Sequence, residues 1–304
     1  MIIPPYLVPG DTVALAAPAR KISEQELLPA ENWLKSEGFN VFYDDRLFAE
    51  EHQFAGSDQV RADYFQSLLD NDYVKLIWCV RGGYGSARII DRLDFTHFRQ
   101  HPKWICGYSD ITVFHSHIQR HLNTATIHAT MPINITDERL QSFAAQSFLS
   151  AIKGQDLIYE LENHPLSRLG EFSGTLTGGN LSMLYSLMGS PSDVDTTDKV
   201  LFFEDLDEYL YHIDRMVLNL KRSGKFSHIK ALLVGHLSDM HDNTIPFGKT
   251  AEEIVADYCQ DLDCPVVFNV PAGHLADNRA LRCGCKIEGY FQDNKFIINS
   301  LNHD

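Results

Sequence analysis

A chain of 304 residues exceeds what one hydrophobic core usually fills, so two domains, or one large domain with a lobe, are expected. Hydrophobic residues at 44% and charged residues at 22% describe an ordinary globular protein rather than a disordered or fibrous one. The formal net charge of -15, with no Lys/Arg run, argues against a nucleic-acid partner, which needs a basic face to displace counterions.

The first residues carry no basic n-region, and Pro4, Pro5, Pro9 and Pro18 interrupt their apolar stretch, so Met1 to Ala19 reads as strand rather than signal peptide. Thr12 to Ala17 is an apolar strand, Glu24 to Glu37 is helical, and Asn40 to Tyr43 is a strand. Arg61 to Leu69 is helical, Val74 to Val80 is a strongly apolar strand, and Ala87 to Leu93 is helical. Trp104 to Cys106 is a strand again, followed by helical periodicity from Ile111. Strands alternating with helices imply a parallel, helix-covered sheet whose ligands bind at the carboxyl ends of the strands. The polar stretch Asp137 to Pro165, helical in part, ends in Asn163-His164-Pro165 and reads as a connector. Beyond it come a β-segment from Gly170 to Thr177, a helix from Leu181 to Met188, a buried strand from Val200 to Glu204 and a helix from Ile213 to Lys221. Strand Ala231 to Leu237, helix Ala251 to Tyr258 and strand Val266 to Asn269 follow, and Arg282 to Ile298 alternates like β-structure. The expected organisation is an α/β domain over 1–150, a linker over 151–170 and a C-terminal domain over 171–304. No run approaches bilayer length, so no membrane partner is expected. The six cysteines include no Cys-x-x-Cys and read as reduced, mostly buried thiols of a cytoplasmic protein. Cys283-x-Cys285 with His274 lacks the second ligand pair of a zinc finger, so no metal or other cofactor is expected.

The residue pattern richest in chemistry is Gly107-Tyr108-Ser109-Asp110, between a short strand and a helix. A serine on such a turn is lifted out of the sheet toward helix amides that have no internal partner. The second glycine of a Gly-x-Ser-x-Gly elbow is replaced by Ile111, so a structural turn or helix N-cap stays open. A nucleophilic serine needs a base, and the base an orienter. Val200-Leu201-Phe202-Phe203 runs into Glu204-Asp205, and Glu204, first after the strand, is the acid placed to point inward. Glu208, four residues on, is not excluded. His274, in the small-residue turn after Val266 to Pro271, stands out among 14 histidines by its place beyond a strand. His115, His117, His121 and His128 lie near Ser109 in sequence, but a base on the following helix would point away from the elbow. Arg81-Gly82-Gly83-Tyr84-Gly85 also follows a strand, and its glycines would let a ligand approach backbone amides, as an oxyanion hole or a phosphate site does.

Taken in order, several motifs resemble the LD-carboxypeptidase family of serine peptidases, which includes enzymes cleaving peptidyl-nucleotide antibiotics such as microcin C. They are Pro9-Gly10-Asp11-Thr12-Val13 with Ala17-Pro18-Ala19; Arg81 to Gly85; Gly107 to Thr112; Gly174-Thr175-Leu176-Thr177-Gly178-Gly179-Asn180-Leu181; Phe203-Glu204-Asp205 through Tyr211-His212-Ile213-Asp214-Arg215; and Gly273-His274. The resemblance implies a flavodoxin-like parallel-sheet N-terminal domain, a smaller mixed α/β C-terminal domain, a homodimer and no metal. It implies Ser109 as nucleophile, Glu204 as orienter and His274 as base, with the oxyanion on amides near Gly83 and Asp110. Arg81 and Asn180 are expected to touch substrate, Arg81 through a planar fork suited to a terminal carboxylate. The turn Ala272 to Asn278 lacks the proline that many members place soon after the histidine, which bears on the loop's substrate contacts. The activity implied is release of the terminal D-alanine from muropeptide tetrapeptides in cell-wall recycling. Hydrolysis of a peptidyl- or aminoacyl-nucleotide is the alternative, and a non-catalytic nucleotide- or phosphate-binding protein the alternative of another class.

Overall fold

The computed structural model describes residues 1–302. In the first half, β1 (Thr12–Ala16), β2 (Asn40–Phe42), β3 (Val74–Cys79), β4 (Trp104–Gly107) and β5 (Thr126–His128) alternate with α1 (Glu24–Ser36), α2 (Asp58–Leu69), α3 (Ser86–Ile89), α4 (Thr96–Gln100) and α5 (Thr112–Leu122). Local chemistry sets the boundaries: Ser23 and Glu26 form a reciprocal capping box at the start of α1, and the Ser57 side chain caps α2. The expected helix Ala87 to Leu93 is instead the single turn α3 followed by a 3-10 turn, Ile90–Arg92.

The chain continues through α6 (Phe143–Ile152), β6 (Leu157–Leu161), β7 (Phe172–Asn180), α7 (Leu181–Leu187), β8 (Lys199–Leu206), α8 (Leu210–Arg222), β9 (Ala231–Ser238), α9 (Ala251–Tyr258) and β10 (Val266–Val267). It closes with β11 (Leu281–Cys283), β12 (Lys286–Gln292) and β13 (Lys295–Ser300).

The first sheet has the order β11-β5-β4-β3-β1-β2. Its strands β2-β1-β3-β4-β5 are parallel in the flavodoxin-like order. Strand β3 is buried at nearly every position, on both faces, and so reads as a nearly continuous apolar run instead of an alternating one. The second sheet is mixed, ordered β10-β9-β8-β7-β12-β13-β6, with β7 to β10 parallel and the rest antiparallel.

Two segments cross the expected organisation. Within the stretch read as a linker, β6 pairs with β13, burying Leu157, Tyr159 and Leu161 while Ile158 and Glu160 face out. The exposed Ile158 blurs the period-two pattern that would have marked this strand. From the C-terminal half, β11 returns to the first sheet and pairs antiparallel with β5. Its Arg282 is buried, donating to the carbonyls of Ser150, Ala151, Gln155 and Ser300. These bonds tie the returning strand to the end of α6.

Strand β8 joins two cores by alternation. Val200 and Phe202 pack into the cluster that fills the first sheet, whereas Leu201 and Phe203 pack with Ile213, Met216, Val217 and Leu220 of α8. By the same period of two, Glu204 continues the face directed at the first domain and Asp205 the opposite one. Across the boundary, the Asn180 amide donates to Thr112 Oγ1 at 2.9 Å and Thr177 Oγ1 to Gln119 Oε1 at 2.9 Å, fixing the end of β7 against α5.

Candidate active site

Strand β4 ends at Gly107, and the chain turns through Tyr108 and Ser109 into a 3-10 turn that leads to α5. Ser109 has φ 62°, a left-handed conformation costly for a residue with a side chain and typical of a strand-to-helix elbow. The absent second glycine has a local explanation. A Cβ on Gly107 would lie 2.8 Å from Ile111 Cγ1, so the isoleucine side chain fills the space that Gly107 leaves.

The glycine turn after β3 lies directly over the serine. A Cβ on Gly82 would sit 2.9 Å from Ser109 Cβ and 3.1 Å from its Oγ. Asp110 ties this turn to the elbow, since its buried carboxylate accepts the Ser86 amide at 2.8 Å. Burial raises the Asp110 pKa, and the bonds from Ser86 oppose the rise.

At the end of β8, Glu204 is fully buried and its Oε2 accepts from His274 Nδ1 at 2.6 Å. Gly273 makes the approach possible: it has φ 128°, and a Cβ there would stand 3.0 Å from Glu204 Oε2. The His274 ring lies against Tyr108, the neighbour of Ser109, with centroids 4.8 Å apart. The elbow after β4 and the Glu204–His274 pair, from β8 and the turn after β10, therefore lie side by side, joined through Tyr108. With Nδ1 donating to Glu204, Nε2 is left to receive a proton.

Burial disfavours a charge on His274, yet the Glu204 charge and hydrogen bond outweigh it, and the pKa is raised above the ordinary 6.5. For a histidine acting as base, which must be neutral, the sign follows: activity would be lost as pH falls through this raised value. We expect kcat/KM to rise with pH through one ionisation above 6.5, and a pH–rate profile checks it. An acid limb at or below 6.5 would break the link between Glu204 and the base.

The other expected site residues have distinct places. Glu208, just before α8, is 2.5 Å from His212 on the first turn of that helix, a separate pair. Arg81 is part-exposed, with Nη1 3.5 Å from both the Lys21 carbonyl and Glu26. Asn180 caps α7: its Oδ1 accepts from Ser182 Oγ and the Met183 amide, and its Nδ2 donates to Asp205 at 2.9 Å. Gly83, with φ 109°, follows Gly82 in the turn over the serine. Among the sequence-adjacent histidines, His115 donates from Nε2 to the Gly107 carbonyl, and burial pushes its pKa down to about 4. His128 is buried against Phe202, and burial holds it well below the ordinary value.

Sequence reading passed over two residues of the site. Tyr108 forms a wall against His274, and its hydroxyl donates to Asn134 at 3.2 Å. Asp205 backs Glu204 from the other face, accepting from Asn180 and from the Ser182 and Leu206 amides. Burial, then the neighbouring Glu204 charge, pushes Asp205 up to about 7. Its position beside Glu204 was the available signal; a turn acid reads as solvated until the strand is seen to continue to Leu206.

A family model for the LD-carboxypeptidase N-terminal domain matches residues 13–129, and one for the LD-carboxypeptidase C-terminal domain matches residues 173–288. A Bacillus subtilis protein described as a probable murein peptide carboxypeptidase is 33% identical over 93% of this chain and 90% of its own length. The crystal structure of a muramoyltetrapeptide carboxypeptidase from Oxalobacter formigenes superposes with a TM-score of 0.87 at 28% identity, covering 96% of this chain and 99% of that one. The microcin C7 self immunity protein MccF, in complex with aspartyl sulfamoyl adenosine, shares the fold with a TM-score of 0.86 at 21% identity, covering 99% of this chain and 98% of its own.

Proposed function

The chain belongs to the LD-carboxypeptidase family, and from that premise we propose that it is a serine carboxypeptidase that releases the terminal D-alanine of muropeptide tetrapeptides. The desolvated His274–Glu204 pair, set against Tyr108 beside an elbow serine, is the observation that supports the serine mechanism. His274 Nε2 takes the Ser109 proton as Oγ attacks the carbonyl of the L,D-bond. Glu204 stabilises the imidazolium that forms, and amides near Gly83 and Asp110 receive the oxyanion. The imidazolium then gives its proton to the leaving D-alanine amine, and water, deprotonated by the same histidine, hydrolyses the acyl-enzyme. Arg81, part-exposed and in long contact with the Lys21 carbonyl and Glu26, is the group we propose pairs with the terminal carboxylate.

Cytoplasmic wall recycling as a homodimer completes the proposal. Buried thiols at Cys79, Cys106, Cys259 and Cys283, outside any disulfide, fit a reducing compartment. No helix among the described residues is long and apolar enough to cross a membrane. The murein substrates named for the more similar relatives favour a muropeptide over a peptidyl-nucleotide. One observation favours the second reading: Tyr209 and Tyr211, exposed just beyond β8 with centroids 5.6 Å apart, offer a surface on which a base could stack.

Incubation with purified disaccharide-tetrapeptide, followed by mass spectrometry, tests both. Loss of a single alanine is the expected result. An unchanged tetrapeptide together with cleavage of an aminoacyl sulfamoyl adenosine would establish the second reading. Inertness toward both would defeat the peptidase assignment.

A further inference from the structure

At the opposite end of the first sheet from Ser109, three side chains converge that the reaction does not use. Asp72 precedes β3, His97 lies in α4, and His101 caps the C-terminal end of that helix just before β4. One ligand atom from each lies within 4.8 Å of the others. Asp72 Oδ1 is 3.3 Å from His97 Nε2 and 3.8 Å from His101 Nδ1, and the rings stack with centroids 4.7 Å apart.

The 3.3 Å separation equals the spacing of two ligands on one ion, and the 3.8 Å one exceeds it by a few tenths of an ångström, which a turn of the exposed His101 ring can close. Nitrogen and oxygen ligands at about 2.0–2.2 Å from a tetrahedral ion stand about 3.3–3.6 Å from one another. Both imidazoles face the same carboxylate oxygen, an arrangement one divalent cation would satisfy at once. His97 Nδ1 is enclosed without a partner, so Nε2, the nitrogen facing Asp72, is the ring atom open to a ligand. A second i,i+4 histidine pair in the chain behaves differently: His117 Nδ1 is bonded to Ser192 Oγ at 2.9 Å and His121 Nε2 to the Pro191 carbonyl at 2.7 Å. The Asp72 loop is also held in place from beneath. Buried Lys103 donates to the carbonyls of Leu68, Leu69 and Asn71 at 3.1, 2.8 and 2.6 Å, fixing the backbone up to the residue before Asp72.

We propose that Asp72, His97 and His101 form a surface site for a divalent transition metal, with water completing the coordination. Two imidazoles and a carboxylate suit Zn²⁺, Co²⁺, Ni²⁺ or Cu²⁺ rather than Mg²⁺ or Ca²⁺. The site sits at the amino ends of β3 and β4, whereas Ser109 and the glycine turn sit at their carboxyl ends, so metal acts on stability and not on turnover. A bound ion would staple the Asp72 loop to α4, and an ion that binds only the folded chain raises its melting temperature.

Titration of untagged protein, stripped with EDTA and dialysed, with Co²⁺ and with Zn²⁺ tests the site. Calorimetry should give one binding event per chain, with Co²⁺ absorption bands of imidazole ligation and a melting temperature that rises with added metal. His101→Gln, at an exposed ring, and His97→Ala should each weaken binding by about tenfold or more, since loss of even an outer partner of a metal ligand costs about 10–100-fold. His117→Ala should leave the isotherm unchanged. Equal binding in the parent and in the His97→Ala/His101→Gln double variant, or no Co²⁺ binding by the parent, would overturn the site. Loss of turnover in the stripped parent, restored by metal, would overturn its separation from catalysis.

Discussion

Ser109→Ala is expected to lower turnover by about a thousandfold or more while the protein folds and melts as before. The size follows from the proposed mechanism, in which no acyl-enzyme would form without Oγ and His274 and Glu204 would have nothing to activate. The retained fold follows from the local structure. Ser109 already adopts φ 62°, alanine carries the same Cβ in the same conformation, and the elbow's packing comes from Gly107 against Ile111 and from the glycine turn above. Substrate binding should be nearly unchanged, because the hydroxyl contributes to the transition state rather than to recognition of the terminal carboxylate. Circular dichroism and thermal unfolding on the variant, beside single-turnover kinetics, separate the two expectations. Near-normal turnover in a folded variant would remove Ser109 from the reaction.

Much of this arrangement was legible in the chain because each part was local. Strand-helix alternation before residue 150 specified a parallel sheet, and that sheet specifies that ligands meet the carboxyl ends of its strands, where Ser109 and Gly82 both lie. Glu204 was legible as the first acid after the apolar run Val200 to Phe203, although the reason it shares their inner face is the period of two with Val200 and Phe202. What stayed hidden was non-local. The return of β11 to the first sheet rests on hydrogen bonds from Arg282 to carbonyls more than a hundred residues earlier, which no spacing encodes. The strand β6 was hidden by one exposed isoleucine, and the cap formed by Asn180 depends on Asp205 of a neighbouring strand. Asp72 lies 25 and 29 positions before His97 and His101, so only the folded chain brings the carboxylate to the histidine pair.

Glu204→Gln is expected to lower turnover by as much as about ten-thousandfold, the effect of replacing the triad aspartate by asparagine in a serine protease. Folding should be nearly unaffected. The carboxylate is fully buried, and exchanging a buried charge for an amide of the same shape removes a desolvation penalty along with the pairing. What disappears is the charge that raises the His274 pKa, so the imidazolium formed during attack loses its stabilisation. The amide can also present its NH₂ group to Nδ1 and favour the tautomer whose Nε2 carries a proton and cannot act as a base. With the raising charge gone and burial still acting, the His274 pKa falls, and the acid limb of the residual activity moves to lower pH. Glu208→Gln is the control on the same stretch of chain. It weakens a pair with His212 on the first turn of α8, and its effect on turnover should stay within about tenfold, the scale of a perturbed neighbour rather than of a lost catalytic unit. Full pH–rate profiles of both variants decide between the two acids. A large loss in Glu208→Gln with a mild one in Glu204→Gln would transfer the orienting role to Glu208 and leave the 2.6 Å contact between Glu204 and His274 as a structural bond.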